Sequence, residues 1–167
     1  FVADFQIEGQ ISLDSIGVED SQEIFREIIA IGEAMAKKYD VVVTNPPYMG
    51  LSGGNSKIND YAKKYYPNSK SDLFAMFIEW GNKRVKYNGC NAMVTMQAWM
   101  FLSSYKNMRS NLLEEYTISN LMHMENMVMG IAFGTAVTLF WNRVSENFKG
   151  TYHYVQYKHI KNDHPYV

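Results

Sequence analysis

The sequence predicts an α/β fold with an open, mostly parallel sheet flanked by helices, and three observations predict it. Short β-branched runs alternate with stretches of helical periodicity, in the order helix, strand, helix, strand, helix, strand, strand. The strands read as nearly continuous apolar runs, the pattern of strands covered on both faces. At 167 residues the chain is long enough for one domain with a substantial core, and it shows no internal repeat and no dividing linker.

Ser21 to Lys38 (SQEIFREIIAIGEAMAKK) sets Ile24, Ile28, Ile31 and Met35 on one helical stripe, with Ser21 as cap and Glu23 in the first turn. Tyr39 to Thr44 (YDVVVT) is a buried strand. Met49 to Ser69, rich in Gly, Ser, Asn and Lys, reads as a long loop, and loops of that length are functional or mobile. Ser71 to Lys86 is a second helix, capped by Ser71, striped by Leu73, Met76, Phe77 and Trp80, and stopped by Asn88-Gly89. Ala92 to Met96 is the next strand. Tyr105 to Glu115 is a third helix with Met108, Leu112 and Leu113 on one face, and Thr117 to His123 and Thr135 to Trp141 (TAVTLFW) are later strands. Thr151 to Val167 alternates weakly through Tyr152, Tyr154 and Tyr157. It is expected to open a following segment, so the domain is placed at 1–150 and the start of another piece at 151–167.

Composition excludes several classes. No apolar run reaches the ~18 residues of a membrane span, and no signal-peptide layout is visible, which favours a cytoplasmic protein with no membrane partner. The single cysteine, Cys90, excludes an intrachain disulfide framework and a Cys-rich zinc site. His123, His153, His159 and His164 are too scattered for ligand spacing, so no metal is expected. Net charge is −1, yet its distribution is uneven. Residues 1–40 hold nine acids against Arg26, Lys37 and Lys38, whereas residues 56–109 hold nine bases against Asp60, Asp72 and Glu79. The middle third is suited either to lie beside a polyanion or simply to solvate helix faces.

The chemistry is concentrated where the first strand ends, at Asn45-Pro46-Pro47-Tyr48. Ligands of α/β sheets bind beyond the carboxyl ends of strands. Two prolines fix two φ angles and remove two N–H donors, leaving a stiff loop that offers carbonyl acceptors only. Asn45 adds a side-chain acceptor and Tyr48 a flat ring. Such a loop suits an amino group on a ring that stacks against the tyrosine.

Asn45-Pro46-Pro47-Tyr48 after an apolar strand resembles the catalytic motif of S-adenosylmethionine-dependent amino-methyltransferases, chiefly the N6-adenine DNA methyltransferases. Ser71-Asp72-Leu73-Phe74 and Tyr87-Asn88-Gly89 resemble the motifs that come next in the same order. Gln97-Ala98-Trp99 with Tyr105 and Arg109 resembles the segment that carries a second aromatic residue beside an extruded base. SKSDLFAMFIEWG and QAWMFLSSYKNMR are most similar to the large adenine-specific methyltransferases of phage-exclusion (BREX) systems, then to restriction–modification enzymes. The likeness covers most of Tyr39 to Asn142.

The resemblance implies a Rossmann-like methyltransferase fold, present here in part, with residues 1–150 as the C-terminal part of the catalytic domain. It implies transfer of a methyl group from S-adenosylmethionine to the N6 amine of a flipped-out adenine in duplex DNA, with other defence-system subunits as further partners. Asn45, Pro46, Pro47 and Tyr48 would be catalytic, Tyr48 and Tyr105 would stack on the base, and Asp72, Lys57, Lys63, Lys64 and Arg109 would line the pocket or contact DNA. The family's Gly-rich cofactor loop is expected outside this chain, because Gly9, Gly17 and Gly32 stand singly and Gly53-Gly54 lies after the motif. With Phe1 rather than methionine first, the chain is expected to be a fragment of a larger enzyme, inactive alone. Two alternatives stay open: a methyltransferase acting on a protein glutamine or an rRNA guanine amine, and a non-catalytic DNA-binding or scaffold subunit of a defence complex.

Overall fold

The structure, a computed structural model, describes residues 13–161, 164 and 165. Gly9 and positions 162, 163, 166 and 167 of the expected closing segment lie outside these residues, as does the side chain of His164. The chain forms two units, residues 1–37 and 38–167. In the first, the described residues form one helix, α1 (Leu13–Ala36), longer than the Ser21–Lys38 expected. Among the described residues no helix is long and apolar enough to cross a membrane.

The second unit is the α/β body. Its elements are β1 (Tyr39–Thr44), α2 (Ser56–Tyr65), α3 (Leu73–Arg84), β2 (Val85–Met96), α4 (Lys106–Glu115), β3 (Thr117–Met124), β4 (Thr135–Trp141) and β5 (Thr151–Val155). A two-residue pair, β6 (Ile160–Lys161) with β7 (His164–Pro165), closes it. The five strands form one sheet in the order β1-β2-β4-β3-β5. β1 and β2 are parallel, as are β3 and β5, and β4 runs antiparallel to both its neighbours. The carboxyl ends of β1, β2, β3 and β5 therefore share one edge of the sheet, and β4 begins there.

Several details differ from the sequence expectation. β1, expected to be buried, ends the strand order of the sheet with Val41 and Val43 exposed, and α3 is capped by Asp72 rather than Ser71. The Met49–Ser69 loop contains a helix: Asn55 caps it by accepting from the Ile58 N–H at 3.0 Å, and Ile58 and Ala62 pack with Leu51, Met76 and Leu73 in a small apolar cluster. Asn88-Gly89 does not stop α3 ahead of a short strand, because β2 already starts at Val85 and absorbs these residues as a bulge. Asn88 takes φ 65°, and a Cβ on Gly89 would collide with the Asp40 carbonyl and Val85. Thr151–Val155 is a strand of the same sheet, paired with Asn120–Met124, so the sheet runs past the boundary placed at residue 150.

The core lies between one sheet face and the helices α3 and α4. Phe74, Ala75 and Ile78 from α3 and Met108 and Leu112 from α4 meet Met93 of β2 and Phe140 of β4, with Trp99 and Tyr105 between them. Each fully buried side chain of this size contributes roughly 1.5–3 kcal/mol. Gly81 lets α3 approach the sheet, since a Cβ there would overlap Asn91 and Met93.

Candidate active site

β1 carries the motif to the sheet edge because its β-branched residues pair with β2 up to Thr44↔Met93, after which Pro46 and Pro47 cannot donate to a ladder. Pro46 is buried, while Asn45 and Pro47 are exposed. Tyr48 is half-buried, and burial pushes its hydroxyl pKa up, so it stays a neutral donor. That hydroxyl lies 3.1 Å from Asn45 Oδ1 and 3.2 Å from the Val94 carbonyl oxygen, and shares its one proton between them. The ring meets Phe74 at 6.2 Å and Phe133 at 5.7 Å, both edge-on. The Asn45 amide is thus held by the aromatic residue that closes its own motif.

The chain leaving the motif is laced to the start of α3. Met49 accepts from the Leu73 N–H at 3.0 Å, Leu51 donates to Ser71 at 3.1 Å, and Gly50 pairs with Asp72. Asp72, expected in the pocket, is the α3 N-cap: its Oδ1 accepts from the Phe74 N–H at 3.2 Å and the Met49 N–H at 3.0 Å. Burial raises its carboxyl pKa, and the backbone N–H groups of Phe74, Met49 and Leu73 pull it back. Asp72 therefore ties the motif loop to the helix.

Arg109 sits under the neighbouring turns. Its Nη1 donates to the Trp99 and Leu102 carbonyls at 2.8 and 2.6 Å, bracing the 3-10 turns that come after β2. Tyr105 is in the core, 4 % exposed, with its ring 5.9 Å from Phe74 and its pKa pushed up to about 12 by burial and then by Asp72. It presents no free face at the sheet edge. Lys57, Lys63 and Lys64 are exposed on α2, with Lys64 Nζ 4.9 Å from the Tyr65 ring.

Sequence reasoning missed Phe133. It stands in the β3–β4 connection and reaches Tyr48 because β4 starts at the edge where β1 ends. Gln97 anchors that connection: its N–H donates to the Gly134 carbonyl at 3.0 Å, its Nε2 donates to Asn126 Oδ1 at 3.3 Å, and its Oε1 lies 2.5 Å from His123 Nε2. His123 stacks on Tyr154 at 4.7 Å, and burial lowers its pKa, with Glu125 opposing. A neutral ring with Nε2–H donating to Gln97 fits both observations. Only the reversed direction of β4 could have revealed Phe133, and no local residue pattern encodes that direction.

A family model described as Eco57I restriction-modification methylase matches residues 6–128. The chain belongs to this family. It is 45 % identical over 119 residues to the adenine-specific methyltransferase BrxX of Escherichia coli O9:H4 (strain HS), covering 71 % of this chain and 10 % of that protein. It is 35 % identical over 148 residues to the adenine-specific methyltransferase PglX of Lacticaseibacillus casei (strain Zhang), covering 86 % of this chain and 12 % of that one. The chain spans about a tenth of the length of these curated relatives.

Among solved structures, the methyltransferase subunit of a type I restriction-modification system from Streptococcus thermophilus superposes with TM-score 0.55 at 20 % identity, over 75 % of this chain and 28 % of that one. The DrdV–DNA complex gives 0.54 at 20 % identity, over 74 % and 15 %. The shared α/β fold is that of the class I methyltransferases, as the resemblance in sequence implied.

Proposed function

We propose that the full-length protein transfers a methyl group from S-adenosylmethionine to the N6 amine of adenine in DNA, in a phage-exclusion or restriction–modification setting. The observation that carries this reading is the acceptor set at the end of β1: an exposed Asn45 whose oxygen is held by Tyr48, and next to it a carbonyl on proline-stiffened chain. A carbonyl oxygen has two lone pairs, so Asn45 Oδ1 keeps one for an incoming amine while Tyr48 occupies the other.

The N6 amine of adenine is a poor nucleophile because its lone pair is delocalised into the ring. Asn45 Oδ1 and the Pro46 carbonyl draw its two hydrogens out of the ring plane and free that pair. The amine then forms the new nitrogen–carbon bond in line, the carbon–sulfur pair leaves with sulfur, and the extra proton departs to water. S-adenosylmethionine supplies an electrophilic methyl on sulfonium, and its main binding loop is assigned to residues outside this chain. The protein's share is positioning and fixed dipoles. Tyr48 stacks on the flipped base, with Phe133 edge-on against the tyrosine ring, and such stacking is worth roughly 1–3 kcal/mol. Lys57, Lys63 and Lys64 on α2 lie along the strand's backbone. The names of BrxX and PglX as adenine-specific methyltransferases support the choice of acceptor.

The test offers the full-length protein methyl-labelled S-adenosylmethionine with duplex DNA, ribosomal RNA and a protein extract. Label is expected as N6-methyladenine in DNA and is expected to vanish with Asn45→Ala. Label in glutamine or rRNA guanine would replace the acceptor, and no label in any of the three would reduce the protein to a scaffold.

A further inference from the structure

Immediately after the motif the chain folds over a cleft of about 370 Å³. Leu51, 3 % exposed, forms its floor, and Ser52, Asn59, Lys63, Lys70 and Ser71 line it. The lining offers two ammonium groups, two hydroxyls and one carboxamide, and no carboxylate. Asn59 and Lys63 are four apart on α2 and so share one face of the helix. Lys70 and Ser71 come from the other wall, which the Leu51–Ser71 hydrogen bond and the Gly50–Asp72 pairing fix against the motif exit. Asp60 is the nearest acid on α2. Its contact with Lys63 is 4.0 Å and both side chains are mostly exposed, so it neutralises Lys63 weakly. The Asp72 carboxylate is turned to the Met49 and Phe74 N–H groups.

We propose that this cleft seats one phosphodiester of the DNA strand that carries the target base. The inference rests on the adenine-methylation reading for its choice of strand, and on the cleft alone for its choice of anion. Leu51 lies three residues past Tyr48, so at most about 11 Å of extended chain separates them. One strand rises about 3.4 Å per nucleotide. The seated phosphate is therefore within roughly three nucleotides of the base held at Asn45–Tyr48. Lys63 and Lys70 supply the charge, and the Ser52 and Ser71 hydroxyls supply directional donors, joined by the second N–H of the Asn59 amide, whose first is held by the Gly54 carbonyl at 3.0 Å. Gripping the backbone here fixes the register of the extruded nucleotide without reading sequence.

The experiment measures duplex binding by the full-length protein across a salt series. The variants are Lys63→Gln, Lys70→Gln, the double variant, and Lys63→Arg with Lys70→Arg as charge-retaining controls. A parallel set of duplexes carries one neutral methylphosphonate linkage at a time around the methylated adenine. Each Gln variant is expected to flatten the log-affinity against log-salt slope by about one, while the Arg variants keep it. One linkage near the adenine is expected to weaken wild-type binding about tenfold and to have no further effect in the double variant. Unchanged slopes, or a linkage effect that persists in the double variant, would overturn the proposal. Protection of the cleft by millimolar inorganic phosphate, with DNA slopes unmoved, would make it a free-phosphate site and equally overturn it. If slopes flatten on nonspecific duplex while no adenine is methylated, the phosphate seat stands and the methylation reading falls.

Discussion

Replacing Tyr48 with phenylalanine isolates the hydroxyl that aims Asn45. The ring stays, so the edge-on contacts with Phe74 at 6.2 Å and Phe133 at 5.7 Å persist, each worth about 0.5–1.5 kcal/mol. The change removes one shared proton, 3.1 Å from Asn45 Oδ1 and 3.2 Å from the Val94 oxygen. A neutral hydrogen bond contributes about 0.5–1.5 kcal/mol net, so the expected loss of stability is about 1 kcal/mol. The kinetic effect arises at Asn45, which is exposed and then free to sample its staggered rotamers and both amide orientations. Spreading one orientation over that set lowers the productive fraction roughly three- to tenfold. Single-turnover methylation by the full-length variant should fall by that factor, with DNA affinity within about twofold, because stacking is retained. Tyr48→Ala, which removes the ring, should instead weaken DNA binding. A Phe variant as fast as wild type would refute the claim that the hydroxyl aims Asn45. A loss beyond about a thousandfold, more than about 4 kcal/mol in the barrier, would show a direct chemical part for it.

Three further outcomes are expected. Gly134→Ala places a Cβ on the Gln97 carboxamide, which His123 and Asn126 hold; overpacking should cost about 1–3 kcal/mol in urea unfolding, and Gln97→Ala in the same chain should recover part of it as a non-additive coupling. Asp72→Ala removes the α3 cap and the tie to Met49, for about 0.5–2 kcal/mol, whereas Asp72→Asn keeps the acceptor and relieves a buried charge, so its thermal midpoint should match or exceed wild type. His123 has its folded pKa below the unfolded value because burial disfavours the charged ring. The unfolded chain therefore binds the proton first, and stability should fall as pH drops from about 6.5 through the lower folded value; His123→Gln should flatten unfolding free energy across that window, and an unchanged slope would contradict the assignment.

Legibility in the sequence tracks locality. β1 and β4 match the expected ranges because uninterrupted β-branched runs bounded by Pro, Gly and Asn define themselves. α2 is hidden in the sequence because only Ile58 and Ala62 of its ten residues are apolar and inward; it is held by an Asn55 cap and by Leu51 and Met76 from elsewhere. β2 reads too short because Asn-Gly signals a turn, and the pairing of Val85 with Tyr39 overrides that signal. At the site, Asn45 to Tyr48 is legible as a run of four residues with one chemical logic. The second aromatic is not: Tyr105 has the right sequence distance but is 4 % exposed, while Phe133, far along the chain, reaches Tyr48. Arg109 likewise has the sequence marks of a phosphate ligand, and its guanidinium instead satisfies two carbonyls of an adjoining turn.

The reversed direction of β4 has an evolutionary consequence. A parallel strand can reach the functional edge only by its carboxyl end, and altering the segment beyond that end disturbs a crossover helix packed on the sheet. The β3–β4 connection, residues 125–134, is a hairpin loop that leaves from that edge and returns to it. Insertions or exchanges there reshape the wall opposite Tyr48 while Thr117–Met124 and Thr135–Trp141 keep their register. The fold thus separates a fixed wall, carried by β1, from one that loop turnover can reshape while Asn45–Tyr48 stays in place.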